Sequence, residues 1–135
     1  MNIINKYPLL FARYYLPMQQ TEMCWGLQIG QGWLPIIDEL CHNIQALIDN
    51  KEIEPLEFDC IKEKYGSLRI RIVPDKNHKV INTLMDVAIR KASITCEDCS
   101  APVVRYYNSS ENSEEDNNCN NYNYNILCNN CKASF

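Results

Sequence analysis

The chain predicts an α+β fold in which helices pack on a β-hairpin, forming a small antiparallel sheet, and a small C-terminal zinc-ribbon module follows. Three observations carry that prediction. Residues 33–48 repeat apolar side chains at helical spacing, residues 55–74 alternate apolar with charged ones, and residues 94–135 hold two C-x-x-C pairs among asparagines and acids. A change of composition near residue 93 divides an α+β core domain, 1–93, from a four-cysteine module, 94–135. At 135 residues the chain fits one compact domain plus such an appendage.

Taken in order, the opening stretch places Pro8 where a proline suits the first turn of a short docking helix. Leu9, Leu10, Phe11, Tyr14 and Tyr15 form its apolar face, and Pro17 ends it. Gly26, Gly30 and Gly32 then mark a loop with one brief extended segment. From 33 to 48, Trp33, Ile36, Ile37, Leu40, Ile44, Leu47 and Ile48 draw one buried helix face, with Pro35 in the first turn, where its missing N–H costs nothing.

The hairpin register follows from its apolar residues. Leu56, Phe58 and Cys60 share one face of the first strand, and Leu68, Ile70 and Ile72 one face of the second. A three-residue loop of Lys64, Tyr65 and Gly66 pairs Cys60 with Ile70 and Phe58 with Ile72; a two-residue loop would set Cys60 against Arg71. Asp59 then opposes Arg71, a pair worth roughly 0.2 to 1 kcal/mol. A second helix over 77–93 carries Val80, Ile81, Leu84, Val87, Ala88 and Ala92 on its stripe, with Asp75 or Asn77 as cap.

Beyond residue 93 the large aliphatics thin out. The acidic, asparagine-rich span 108–121 reads as a loop between short strand-like pieces at 103–107 and 122–127, each adjoining one cysteine pair. Cys96, Cys99, Cys128 and Cys131 supply four thiolates in two C-x-x-C turns, the donor set of a closed tetrahedral site for one structural Zn2+. A module this small lacks a core of its own, so the metal is expected to be part of its fold. Four cysteines leave no open coordination position for chemistry. Cys119 is the alternative to one of the four; a loop thiol is its plainer reading.

A formal charge of −4 and a pI near 5.1 give no general attraction to polyanions or to an anionic membrane. The longest apolar runs are too short for a membrane span or a secretion signal, so the expected location is the cytoplasm, where cysteines stay reduced and bind metal. Cys41 and Cys60 read as apolar core fillers, and Cys24 has no ligand spacing. His42 and His78 read as solvated, and Asp38 and Glu39 are adjacent on a helix and cannot face each other as a catalytic pair. With no nucleophile beside a recognisable base, the chain reads as a non-enzyme with no catalytic residues. Lys62, Lys64, Arg69 and Arg71 cluster on the hairpin, either as a salt-bridged outer face with Glu57, Asp59 and Glu63 or as a partner-binding patch. Trp33 reads as core and Trp25 as a candidate exposed anchor.

Three phrases, KYPLLF at 6–11, KEKYGSLRI at 62–70 and CEDCSAP at 96–102, together resemble a family of small, largely uncharacterised proteins encoded by bacteriophages and prophages. In that family a glycine-rich GDGW loop and a helix precede a KEKFGGLRF hairpin and a terminal zinc ribbon; here Gln31 stands in place of the loop acid. The resemblance implies a phage setting and no established activity. The expected function is binding of a host or phage protein, as an inhibitor or adaptor that includes antiviral defence among its targets. Two alternatives stand beside it: a nucleic-acid-binding ribbon, and a small-molecule-sequestering protein or enzyme with a pocket beside Trp25 and Trp33.

Overall fold

The structure, a computed structural model, describes residues 2–75, 78–103 and 127–128. It is an α+β fold, with α1 at Ile3–Lys6, α2 at Leu34–Asp49, β1 at Glu57–Lys64, β2 at Ser67–Val73 and α3 at Lys79–Ala92. The strands form one antiparallel two-stranded sheet, and α2 and α3 pack against each other over the sheet's inner face. Trp33, Phe11, Phe58, Ile37, Ile44, Ile61 and Leu68 lie fully buried between these layers. Each such side chain contributes about 1.5 to 3 kcal/mol by leaving water.

The α2 helix spans what its periodicity predicts. Ile36, Ile37, Leu40, Cys41 and Ile44 are its buried residues, and proline occupies its first turn. At the N-terminus the expected helix from Pro8 is replaced by α1, one turn capped by Asn2, whose side chain accepts from the Asn5 N–H. Tyr7 ends α1 because a residue before proline is driven out of the helical region. A 3-10 turn at Ala12–Tyr15 follows. Only Leu10 and Phe11 of the expected apolar face are buried, while Leu9 and Tyr15 are exposed.

The hairpin corrects the predicted loop. Its turn has two residues, Tyr65 and Gly66, both left-handed (φ 55° and 75°), so Lys64 pairs with Ser67, Ile61 with Ile70 and Cys60 with Arg71. That is the double positive-φ turn whose twist matches paired strands. The apolar match survives because a β-bulge between Phe58 and Cys60 restores the pairing of Phe58 with Ile72. Cys60 is therefore buried on the outer face of the sheet, outside the main core cluster, with Ile61 in its expected place.

The α3 stripe is also shifted. Ile81, Ala88 and Ala92 are buried with Leu84, Met85 and Ile89 beside them, while Val80 and Val87 face outward. Its N-cap is His78, which makes no side-chain capping bond, rather than Asp75; Asn77 lies outside the described residues. No helix of the described residues is long and apolar enough to cross a membrane.

Candidate metal centre

After α3 the backbone turns on itself at the first cysteine pair. Thr95 bridges Pro102, the Cys96 N–H donates to the Ala101 carbonyl at 2.7 Å, and the Ser100 N–H donates to the Cys96 carbonyl at 3.0 Å. Ser100 takes the left-handed conformation, φ 70°, that closes the turn. Cys96 is fully buried, Cys99 exposed and Cys128 half-buried, with Leu127 packed against Cys96. The three sulfurs lie within 4.8 Å of one another, and those of Cys99 and Cys128 are 3.5 Å apart.

Four sulfurs at about 2.3 Å from a tetrahedral ion stand about 3.8 Å apart, so this spacing suits metal ligation. The three cysteines can hold a metal ion. Burial opposes ionisation of the Cys96 thiol, yet the backbone N–H groups of Cys128, Cys99 and Asp98 outweigh it and bring the pKa down to about 6. That is a thiol prepared to act as a ligand. Cys131, Cys119, the acidic span 108–121 and the strand-like piece at 122–126 lie outside the described residues, as does 104–107.

The turn sits directly on the glycine loop. The Gly32 N–H donates to the Glu97 carbonyl at 2.7 Å, the Gly30 N–H to Glu97 Oε1 at 3.0 Å, the Trp33 Nε1–H to the Thr95 carbonyl at 2.9 Å, and the Ser100 hydroxyl to the Gly32 carbonyl at 2.6 Å. A Cβ on Gly32 would lie 2.3 Å from the Cys96 carbonyl oxygen, and one on Gly30 2.3 Å from that of Glu97. The glycines are there so that two backbones can touch. The cysteine turn thus packs against Gly30, Gly32 and the fully buried Trp33. Nothing in the sequence pairs residue 32 with residue 97; the only signal was two glycines before a core tryptophan. Glu97 Oε2 is buried with no hydrogen-bond partner among the described residues, and burial holds its carboxyl above the ordinary value.

The hairpin cations divide into two groups. Lys62 reaches Glu22 at 3.2 Å, and Arg71 reaches Asp59 at 2.8 Å and Glu22 at 3.5 Å. Asp59 also accepts from Arg13 at 3.1 Å and from the Thr21 hydroxyl at 2.7 Å. Desolvation alone would raise the Asp59 pKa, and these donors carry it below the usual range. Lys64, over the Tyr65 ring, and Arg69 form no ion pair among the described residues. Of the expected acidic partners, Asp59 serves the cluster, while Glu57 pairs with Arg13 and Glu63 accepts from the Gly66 N–H. Trp25 is 63% exposed.

The remaining candidates have structural partners. Asp38 holds Lys6 and the Tyr7 hydroxyl, and Glu39 holds Lys91, so the two acids tie α2 to α1 and to α3. Burial pushes the Cys41 thiol up to about 12; burial and Glu22 push that of Cys60 up to about 11. Cys24 donates to the Thr21 carbonyl and joins no ligand cluster among the described residues. His42 is exposed and His78 half-buried, the latter with Nδ1 unpartnered among the described residues. No family model matches the chain, and no curated protein or solved structure is similar to it.

Proposed function

We propose that this chain is a non-enzymatic binding protein whose C-terminal part is organised by one structural Zn2+, held by Cys96, Cys99, Cys128 and Cys131, and which acts by gripping another protein. The observation that carries the binding reading is an exposed aromatic surface on the 3-10 turns. Trp25, Tyr15 and Met18 are 63%, 74% and 62% exposed, and Tyr14 packs edge-on against Tyr15 at 5.2 Å between ring centres. Tyr14 also approaches Gly26, next to Trp25, and the two 3-10 turns that carry these residues pack against each other. Large aromatics left in water on a folded surface are the residue types that dominate protein interfaces. Zinc is supported by the sulfur spacing and by a donor set of thiolates. The phrases that resemble those of phage-encoded proteins favour a phage setting, in the cytoplasm of the host cell, with a host or phage protein as the target.

Affinity capture from host and infected lysates, with nuclease treatment, tests the reading. A protein retained after nuclease and lost with Trp25→Ala is the expected result. Retention that depends on nucleic acid would transfer the function to a nucleic-acid module, and capture indifferent to Trp25 would remove the aromatic surface from it. Elemental analysis of the purified chain should return one zinc per molecule.

A further inference from the structure

We infer that the cavity where the loop from α2 to β1, the end of β2 and the first turn of α3 meet is a binding site for a small primary amine with an apolar body, of the arylalkylamine class. The inference goes beyond the protein-binding reading and does not depend on it. The cavity has a volume of about 260 Å³, and its floor is Ile53, Leu56, Ile72 and Ile81. It opens where the core is thinnest. Ile53, Leu56 and Ile72 keep 9%, 8% and 6% of their surface accessible, whereas Phe58, Ile61 and Leu68 of the hairpin keep 1% or less. An apolar cavity of about 150 Å³ holds benzene. The larger volume accommodates a ring with a short side chain, and an aliphatic floor favours that ring over water, to which it offers no hydrogen-bonding side chain.

Structure holds the floor in place. Ile72 is fixed by its pairing with Phe58 across the bulge, and Ile81 is buried in the first turn of α3. Two exposed prolines, Pro55 and Pro74, stand at the mouth, where their fixed φ stiffens the wall and lowers the entropy cost of binding. The rim then sets the charge of the ligand. Glu52 and Glu54 line the cavity, both exposed, and no lysine or arginine is among its described lining residues. Lys51, next to Glu52 in the chain, lines the adjoining hollow with Ile48 instead. The Glu52 N–H donates to the Leu47 carbonyl, and its carboxylate joins no ion pair among the described residues. An ammonium on a short side chain would meet that carboxylate while the ring stays on the isoleucine floor. A carboxylate ligand would meet like charge at the same rim, and an uncharged one would leave Glu52 unused. A bare divalent cation fits poorly, because an aliphatic floor supplies none of the oxygen ligands it requires.

The test uses the full chain as purified, with isotope-labelled isoleucine δ-methyl groups, titrated with phenethylamine, phenethyl alcohol or hydrocinnamate and followed by NMR. Phenethylamine should produce saturable shifts at Ile53, Ile72 and Ile81, with a dissociation constant of roughly 0.1 to 1 mM. Ile3 and Ile37, which do not line the cavity, should not move. The alcohol should bind about three-fold more weakly and hydrocinnamate about ten-fold more weakly or worse. Glu52→Gln should bring the amine to the affinity of the alcohol and leave the alcohol unchanged. Because the methyl shifts are read on the unaltered chain, they locate the site whatever the variant does. No saturable shift, equal shifts at Ile3 and Ile37, hydrocinnamate as tight as the amine, or an amine affinity unmoved by Glu52→Gln would overturn the inference. Capture of a protein through Trp25 is a separate readout, so either reading can fail without the other.

Discussion

The α+β core and the cysteine turn touch at Gly32, yet different forces hold them. The core encloses Trp33, Phe11, Phe58 and several aliphatics, enough apolar surface to offset the entropy of ordering its chain. Among the described residues the turn buries only Cys96 and Leu127, with Ala101, Val103 and Cys128 alongside. So small a cluster cannot fix a backbone by itself. It borrows order from the core through the bonds at Gly30, Gly32 and Trp33, and its sulfurs can hold a metal ion. The described part of the turn is thus placed by close backbone contact with the core.

The largest expected effect separates the two regions outright. Cys96→Ser should abolish stoichiometric metal binding, an apparent stabilisation on the order of 10 kcal/mol in structural sites, while the helical circular dichroism of the core persists. Cooperative loss of the whole fold on chelation would show instead that the core depends on the metal. Trp33→Ala comes next, because this residue serves both sides. It should cost about 3 to 5 kcal/mol in denaturant unfolding and weaken metal binding too, since the Thr95 carbonyl loses its donor.

Gly32→Ala probes the contact itself. Its Cβ would press on the Cys96 carbonyl, which is backbone and has no rotamer with which to yield. Metal affinity should fall roughly ten-fold, about 1.4 kcal/mol, with a smaller change in the core's unfolding midpoint; equal affinity would mean that the turn is not seated there. Asp59 tests the core alone. Its pKa is lowered in the fold, so its contribution is complete above the unfolded value of 3.8 and disappears as pH falls through the depressed native value. Asp59→Ala should cost about 2 kcal/mol at neutral pH, and the variant should show a flatter acid limb in a stability-against-pH series. The smallest effect is a gain: Tyr65→Asn puts a residue suited to positive φ in the turn and should add about 0.5 kcal/mol without altering metal binding.

Much of the fold was legible from periodicity. The recurrence of Ile36, Ile37, Leu40 and Ile44 encodes a buried helix face in any surroundings, and the alternation of 67–73 encodes a strand. The spacing of Cys96 and Cys99 likewise declares a ligand pair, because a short turn brings their sulfurs together whatever follows. The hairpin misled because alternation cannot register a bulge: the extra residue at 59–60 lets a two-residue turn coexist with the match of Phe58 to Ile72. The first helix misled because Pro8 acts on Tyr7 before it and does not start a helix after it.

By itself, then, the sequence determined the two long helices, the alternating strands of the hairpin, and the pairing of Cys96 with Cys99 in one turn, since those properties depend on neighbours a few residues apart. Tertiary structure alone decided that Gly30 and Gly32 receive the backbone of Cys96 and Glu97, that Cys60 is buried beneath Glu22, and that Trp25 is left in water while Trp33 is enclosed. Those outcomes depend on residues far apart in the chain competing for the same space, and no local pattern records which of them obtains it.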